Sequence, residues 1–257
     1  MSGMRWFGID LLRLSVKDPK GDLLRLLDGD HPSQAVTLNP EMALAARTER
    51  SLGDLISRSA IILADGAGVQ WAASWLLGHS VTRMTGVDAL EALLSAASER
   101  RLKVVFLGGG PQEGERAAQA ALRRFPGADV ISLDPGQVIR DADGAWRQPA
   151  DLVERVQAFA PAVLAVAFGH GKQERWIADH LSKLPSVRVA IGVGGTFAFL
   201  SGRIRRAPAW MRRLGMEWAW RLIQEPRRIG RILRAVVVFP VLVIWDRILW
   251  RERPSGP

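Results

Sequence analysis

The chain has no cysteine. That excludes disulfides and thiolate metal sites, and it agrees with a reducing compartment. A long hydrophobic run is also missing. The longest uncharged apolar stretch, Ala235–Trp245, contains Pro240. As a helix it would be about 16 Å long, against about 30 Å of bilayer hydrocarbon. It is too short to span a membrane and must either lie at an interface or pack on protein. Met1–Ser15 alternates charge with short apolar pairs and has no h-region, so no signal peptide is expected. No G-x-G-x-x-G is completed, and there is neither a G-x-x-x-x-G-K-[ST] loop nor a Gly-x-Ser-x-Gly elbow, so dinucleotide, P-loop and serine-hydrolase sites find no support. His31, His79, His170 and His180 are dispersed without metal-ligand spacing. The Asp-x-Asp pairs Asp28/Asp30 and Asp141/Asp143 lie in turn-like polar surroundings and read as turns, not as divalent-ion sites. Internal repeats and low-complexity linkers are absent.

Acidic residues are scarce in one place. Residues 203–257 carry 13 arginines, no lysine and 4 acids, a balance of +9. That equals the excess of the whole chain, 35 Lys+Arg over 26 Asp+Glu, so residues 1–202 are neutral. The same end holds Trp210, Trp218, Trp220, Trp245 and Trp250. Two charge regimes predict two parts: a body over 1–202 and an Arg/Trp-rich helical appendage over 203–257. Such an appendage suits an anionic partner with an apolar boundary, as a membrane surface is. Pro208–Gln224 is predicted as one amphipathic helix with Trp210, Met211, Leu214, Trp218 and Leu222 on one face. After Pro226, suited to the first helical position, a second helix places Arg227, Arg231 and Arg234 opposite Ile229, Ile232, Leu233 and Val236. Trp210, Trp218, Arg227, Arg231 and Arg234 are therefore the candidate membrane contacts. Arginine clusters also bind nucleic acid, but a strongly apolar second helix argues for lipid.

In the body, apolar β-rich runs recur at 35–38, 61–64, 104–107, 130–133, 163–167 and 187–193. Between them lie helical patterns at 40–50, 69–77, 87–100, 111–125, 150–159 and 172–183. This alternation predicts an α/β fold, a mainly parallel Rossmann-like sheet flanked by helices. Several of the runs are apolar throughout, as a sheet covered on both faces requires. Polar, glycine-rich segments follow the strands, where open parallel sheets bind ligands. Asp65, after Ile61–Ala64, is placed for a general base or for a helix N-cap. Arg83 precedes a helix and suits an anion or a surface ion pair. Gly108–Gly110 can cradle phosphate or simply turn the chain. Gln173 and Glu174, after Gly169-His170-Gly171, open a helix and can bind ribose or base edges or be a plain helix start.

The order of these segments resembles the WecG/TagA/CpsF glycosyltransferases. The matching blocks are Thr37-Leu38-Asn39-Pro40-Glu41, Ala64-Asp65-Gly66-Ala67-Gly68, Arg83-Met84-Thr85-Gly86-Val87-Asp88, Gly108-Gly109-Gly110-Pro111, Gly169-His170-Gly171-Lys172-Gln173-Glu174, Gly192-Val193-Gly194-Gly195-Thr196-Phe197, and Arg206-Ala207-Pro208 with Glu217-Trp218 and Glu225-Pro226-Arg227-Arg228. The resemblance implies an inverting, metal-independent transfer of a sugar from a UDP-sugar to a polyprenyl-diphosphate-linked saccharide. The sugar is N-acetylmannosamine, its uronic acid, glucose or similar. The resemblance also implies peripheral attachment to the cytoplasmic face of a bacterial membrane, in teichoic acid, capsule or exopolysaccharide assembly. Asp65 matches the family's proposed base. Thr37, Asn39 and Arg83 match positions lining the site, and Gln173 one near the nucleotide. Arg206, Arg221 and Arg228 belong to the appendage whose arginines approach a diphosphate. No cofactor beyond the UDP-sugar co-substrate is expected, and no nucleic acid; a homo-oligomer is left open. Two positions depart from the family pattern: Ala198 stands where aspartate is common after Phe197, and Gly171 where proline is common. The alternatives are an inactive membrane-peripheral scaffold and a nucleic-acid-binding α/β protein.

Overall fold

The computed structural model describes residues 5–14 and 16–251, the side chains of Leu12, Leu249, Trp250 and Arg251 excepted. Trp250, counted above among the tail tryptophans, is one of these. Each apolar run became a strand: β1 (Ser33–Leu38), β2 (Ile61–Ala64), β3 (Lys103–Gly108), β4 (Asp129–Leu133), β5 (Val163–Ala167) and β6 (Val189–Gly192). They form a six-stranded sheet in the order β2-β1-β6-β5-β3-β4, parallel at every pairing. Side chains alternate between two covered faces. Ile61, Leu63, Val104, Phe106, Val163, Ala165, Val189 and Ile191 enter one core. Ile62, Ala64, Val105, Leu107, Leu164, Val166 and Ala190 face helices on the other side. A parallel sheet needs both covers, because crossovers place helices on each face.

The helices of the body are α1 (Pro19–Arg25), α2 (Pro40–Thr48), α3 (Arg50–Arg58), α4 (Ala67–Leu77), α5 (Gly86–Arg100), α6 (Glu113–Arg124), α7 (Leu152–Phe159), α8 (Lys172–His180) and α9 (Thr196–Leu200). Local chemistry sets several starts. Asn39 Oδ1 accepts from the Met42 N–H at the head of α2, and Pro40 occupies the first turn. Thr85 and Asp88 form a capping box on α5. The expected helix over 40–50 ends at Thr48, and α3, which was not expected, follows with Leu52 and Ile56 buried one turn apart. The Asp-x-Asp pairs are indeed turns. Asp143 accepts from Ala145 N–H in the hairpin 139–147, and Asp28 ends a short helix and pairs with Arg100.

The C-terminal segment differs from its expected form. The single helix over 208–224 is two helices, α10 (Ala209–Arg213) and α11 (Glu217–Gln224). Gly215 breaks it: its φ is +72°, and an added Cβ would lie 2.7 Å from Ala67 Cβ. The chain bends there to press its backbone on α4. Next come α12 (Ile229–Leu233), a π-helical stretch over Arg234–Val238, and α13 (Phe239–Arg251). Pro240 lacks an N–H, and the wide turn directly before it is a common accommodation for that loss. Phe239 and Val243 are fully buried. Phe239 sits edge-on to Trp6 and Phe7, at 5.5 and 6.3 Å. One side of the apolar run thus packs on the body, while Val237, Val241, Ile244 and Trp245 remain exposed.

Candidate active site

The carboxyl ends of β1, β2 and β6 define the site. From β1 the chain turns into α2; from β6 it turns into α9, which packs with α5 and α6. The divergence opens a crevice between β1 and β6, the usual ligand position in such sheets. Thr37, at the end of β1, is buried and donates to Gly192 O across that crevice at 3.0 Å. Gly86 opens α5 against the same place: an added Cβ would approach Thr196 Oγ1 to 3.2 Å.

Asp65 follows β2 and is half-buried. Its N–H is held by Leu38 O at 2.8 Å. Its carboxylate faces the first turn of α5, where the Gly86 N–H bonds it. Burial pushes its pKa up to about 7, and the Glu217 charge adds to the rise; Gly86 N–H and Arg221 oppose it. A carboxylate poised near neutrality is suited to taking a proton. It is not an N-cap of α4, whose N-cap position is Gly66 and which has no side-chain cap bond.

A group of arginines from the C-terminal helices covers this crevice. Arg221 lies against Gly195, stacks on Phe199 at 5.2 Å and pairs with Glu225 at 3.2 Å. Arg228 pairs with Glu225 at 3.0 Å. Burial, reinforced by Arg221, lowers its pKa from the ordinary arginine value. Arg231, expected to face a membrane, is directed elsewhere: three contacts of 2.6–3.2 Å tie it to Glu41. The reason is charge pairing with a carboxylate that also lies 3.7 Å from His170 Nε2. His170 Nδ1 meets Asn39 Nδ2 at 3.2 Å. Since Asn39 Oδ1 already accepts from Met42, its amide nitrogen donates, and His170 carries its proton on Nε2, toward Glu41. Burial holds His170 below its usual pKa; Arg231, Arg221 and Arg228 act in the same direction against Glu41. Glu41, His170, Glu217 and Glu225 were missed in the sequence. All four stand inside the matching blocks, which was the available signal.

Other expected contacts have different surroundings. Gln173 and Glu174 are buried and turn inward. Gln173 donates to Glu174 Oε1 at 2.8 Å and accepts from Gly194 N–H at 3.1 Å. Glu174 Oε2 accepts from Gly171 N–H at 2.7 Å. Burial raises the Glu174 pKa to about 7. These side chains hold the loop after β6 and offer no edge to a ribose; the polar atoms are consumed by backbone groups that burial would otherwise leave unpaired. The Gly109 N–H likewise bonds Ala167 O at 3.1 Å, and its Cβ position meets the Phe197 ring at 3.1 Å, so packing, not phosphate, explains it. Gly108, with φ +90°, is pressed on Phe168. Gly169 borders open space. Arg206 is ringed by acids, Asp88 at 2.5 Å, Glu91 at 3.7 Å and Glu217 at 3.8 Å, and it locks α11 to α5. Burial pushes Asp88 upward, yet bonds from Thr85 and Arg206 outweigh it and hold its pKa low. Arg83 donates to Arg212 O at 2.7 Å. Trp210, Trp218, Arg227 and Arg234 are exposed.

The departures find reasons. Gly171 has φ +77° and donates to Glu174, neither of which proline could do. Ala198 is fully buried and packs rather than binds.

A doubly wound parallel sheet, with a near-neutral carboxylate and clustered arginines at its crevice, is an arrangement suited to group transfer on an anionic substrate. The description "Glycosyl transferase WecG/TagA/CpsF family" matches residues 4–253. The chain belongs to that family of glycosyl transferases. It is 33% identical over 204 residues to an N-acetylglucosaminyldiphosphoundecaprenol N-acetyl-beta-D-mannosaminyltransferase of Staphylococcus aureus (strain MRSA252), covering 79% of this chain and 76% of that one. Proteins with the same name from Bacillus subtilis (strain 168) and Bacillus spizizenii are 32% and 30% identical, over 77% and 80% of this chain and 73% and 77% of their own.

Proposed function

We propose that the chain is an inverting glycosyltransferase that moves a sugar from a UDP-sugar to a polyprenyl-diphosphate-linked saccharide at a membrane surface. The observation that carries this reading is the Asp65 carboxylate at the crevice, half-buried and held by that burial near pH 7 beside Arg221. Asp65 takes the proton of the attacking acceptor hydroxyl. The acceptor oxygen bonds to the sugar's anomeric carbon on the face opposite the UDP. The bond to the diphosphate breaks, and its electron pair leaves on the UDP oxygen. Arg221 and Arg228 stabilise that growing charge when they exchange Glu225 for the diphosphate. In this reading a metal is unnecessary, since the guanidinium groups supply the countercharge. The names of the relatives make UDP-N-acetylmannosamine and N-acetylglucosaminyldiphosphoundecaprenol the first donor and acceptor to try.

The membrane part of the proposal draws support from the outward surface of the C-terminal helices. Among the described residues no helix is long and apolar enough to cross a membrane. Yet Leu214, Ile223 and Trp245 are 68%, 71% and 58% exposed, and Arg227 and Arg234 of the same segment are exposed too. Apolar side chains in a basic surround suit an anionic lipid surface, on a cytoplasmic leaflet. The test is UDP release from a panel of UDP-sugars with a lipid-linked acceptor. Release that requires the acceptor supports transfer; no release from any donor overturns it.

A further inference from the structure

An outward surface without charge runs across two helices from different parts of the chain. α4 holds no charged residue over its whole length. Val69, Ala72, Ala73 and Leu76 join the core that contains Ile62 and Ala64 of β2. On the other side of the helix, Trp71 and Trp75 stack at 5.6 Å and are both exposed. α13 lies alongside and points the same way. At one end Phe239 Cε1 is 3.6 Å from where a Cβ of Gly68 would stand; at the other the Arg247 guanidinium sits 6.0 Å from the Trp75 ring. The pattern of α13 is reversed for a helix in water, which turns its charges out. Asp246 instead turns to Arg47 of α2, at 3.2 Å, and Arg247 to Trp75. Val241, Ile244, Trp245 and Ile248 face out, at the i, i+3, i+4 and i+7 spacing of one stripe. With Trp71 and Trp75 they make one apolar face shared by the body and the C-terminal helices.

Charge identifies what covers this face. The described acids of the C-terminal helices are all engaged: Glu217 with Arg206, Glu225 with Arg221 and Arg228, and Asp246 with Arg47. Arg213, Arg227 and Arg234 are exposed and pair with no acid among the described residues. The unpaired charge of this segment is therefore positive. A second copy of the chain would bring the same sign to the contact, whereas an anionic bilayer brings the opposite one. Tryptophan is also the side chain enriched where hydrocarbon meets headgroups, since its ring is apolar and its N–H is not.

We infer that α4 is a lipid-docking helix of the body: Trp71 and Trp75 enter the interface of an anionic bilayer together with the outer stripe of α13. This deepens the membrane part of the proposed function and rests on it. The body is then held at the lipid directly and does not hang from its C-terminal helices. Ala67, which opens α4, is two residues after Asp65, and Trp71 and Trp75 lie about 6 and 12 Å further along the helix axis. Docking by this helix sets how far the candidate base stands from the lipid surface. The test uses the full chain with vesicles of phosphatidylcholine, with and without phosphatidylglycerol. Wild type should bind, and prefer the anionic vesicles. Trp71→Ser with Trp75→Ser should lower partitioning onto them by about tenfold or more, while Trp71→Phe with Trp75→Phe should keep most of it. Ile139→Ser removes an exposed apolar side chain in the hairpin after β4, at the sheet edge away from β2, and should stay within about twofold. Because the chain has no cysteine, Trp71→Cys and Ile139→Cys each carry a single spin label. On vesicles the label at 71 should be shielded from a water-soluble relaxation agent and the label at 139 should not, a readout that stands if the serine pair disturbs the fold. Wild-type partitioning in the serine pair, a label at 71 that stays in water, or an equal loss in Ile139→Ser overturns the inference. So does a wild-type dimer in solution that the serine pair dissociates, since a second copy then covers the face. The transferase reading is scored separately: failure to turn over any UDP-sugar leaves lipid docking intact, and acceptor-dependent UDP release with vesicle binding indifferent to Trp71 and Trp75 sinks the docking helix alone.

Discussion

The body and the C-terminal helices expose different kinds of side chain. In the body apolar residues go in: Val36, Ile62, Phe106, Leu164 and Ile191 are inaccessible to solvent. In the C-terminal helices many apolar residues go out, among them Leu214, Ile223, Leu233, Val241 and Trp245. Several of their arginines instead pair with acids of the body, Arg203 with Glu113, Arg206 with Asp88 and Arg231 with Glu41. The neutrality of residues 1–202 is therefore no sign of indifference to the tail; its acids are the other half of the contact. The arrangement exposes hydrocarbon to one environment and aims cations at the crevice, which suits a reaction in which an anionic substrate lies beside a lipid phase.

The comparison breaks most sharply at Asp65. Asp65→Asn should cut turnover by about 10²–10⁴-fold with the fold intact, because only the proton acceptor is lost. In the wild type, kcat/KM should rise with pH to a limb near 7, since the carboxylate must be ionised to accept a proton. Steady-state UDP release across pH 5.5–8.5 checks both; near-normal turnover in the variant would remove Asp65 from the base role. Next in size, Arg228→Ala and Arg221→Ala should each lower kcat/KM for the UDP-sugar by about 10–100-fold, as expected for losing a charge-assisted contact of 1.5–3 kcal/mol. The outward surface should respond differently. Ile223→Glu with Trp245→Glu should weaken binding to vesicles containing anionic lipid by about tenfold or more, yet spare turnover of a short-chain soluble acceptor. Co-sedimentation set beside kinetics separates the two jobs, and equal losses in both would merge them.

Smaller effects sharpen how the two regions are joined. Gly215→Ala should destabilise by about 1–3 kcal/mol, read as a fall in melting temperature, because its Cβ meets Ala67 and its φ is positive. The pH dependence of stability should be unusual. Asp65 and Glu174 have folded pKa values raised to about 7, above the ordinary carboxylate range. The folded state then binds protons more tightly than the unfolded chain. Its stability is greatest below about pH 4 with respect to these two groups and falls as pH rises through 7. Asp65→Asn removes one of the two contributions, so its advantage over wild type should grow by about 2–3 kcal/mol between pH 5 and pH 8. Thermal melts of both proteins between pH 5 and 8.5 measure this.

Much of the fold could be read in the chain. The six strands are centred on apolar runs, since double coverage leaves little room for a polar face. Asn39-Pro40 and Thr85-x-x-Asp88 mark helix starts by chemistry that acts over three residues. What escaped the sequence had a longer reach. The break at Gly215 exists because α4 lies beneath it. Arg231 and Glu41 meet across most of the chain's length. Gln173 and Glu174 are polar residues in a glycine-rich loop, a pattern shared by ligand contacts and by internal clamps. Only the position of Gly194 and Gly171 around them separates the two.

By itself, then, the amino-acid order determined the parallel α/β body, the location of its loops and the segregation of charge at one end, because hydrophobic periodicity and capping are local. Tertiary structure decided which acid each arginine faces, how far Asp65 is drawn from an ordinary carboxylate, and which side of the tail remains open. Those outcomes depend on burial and on Coulomb partners brought together by topology, and neither is a property of any short stretch of sequence.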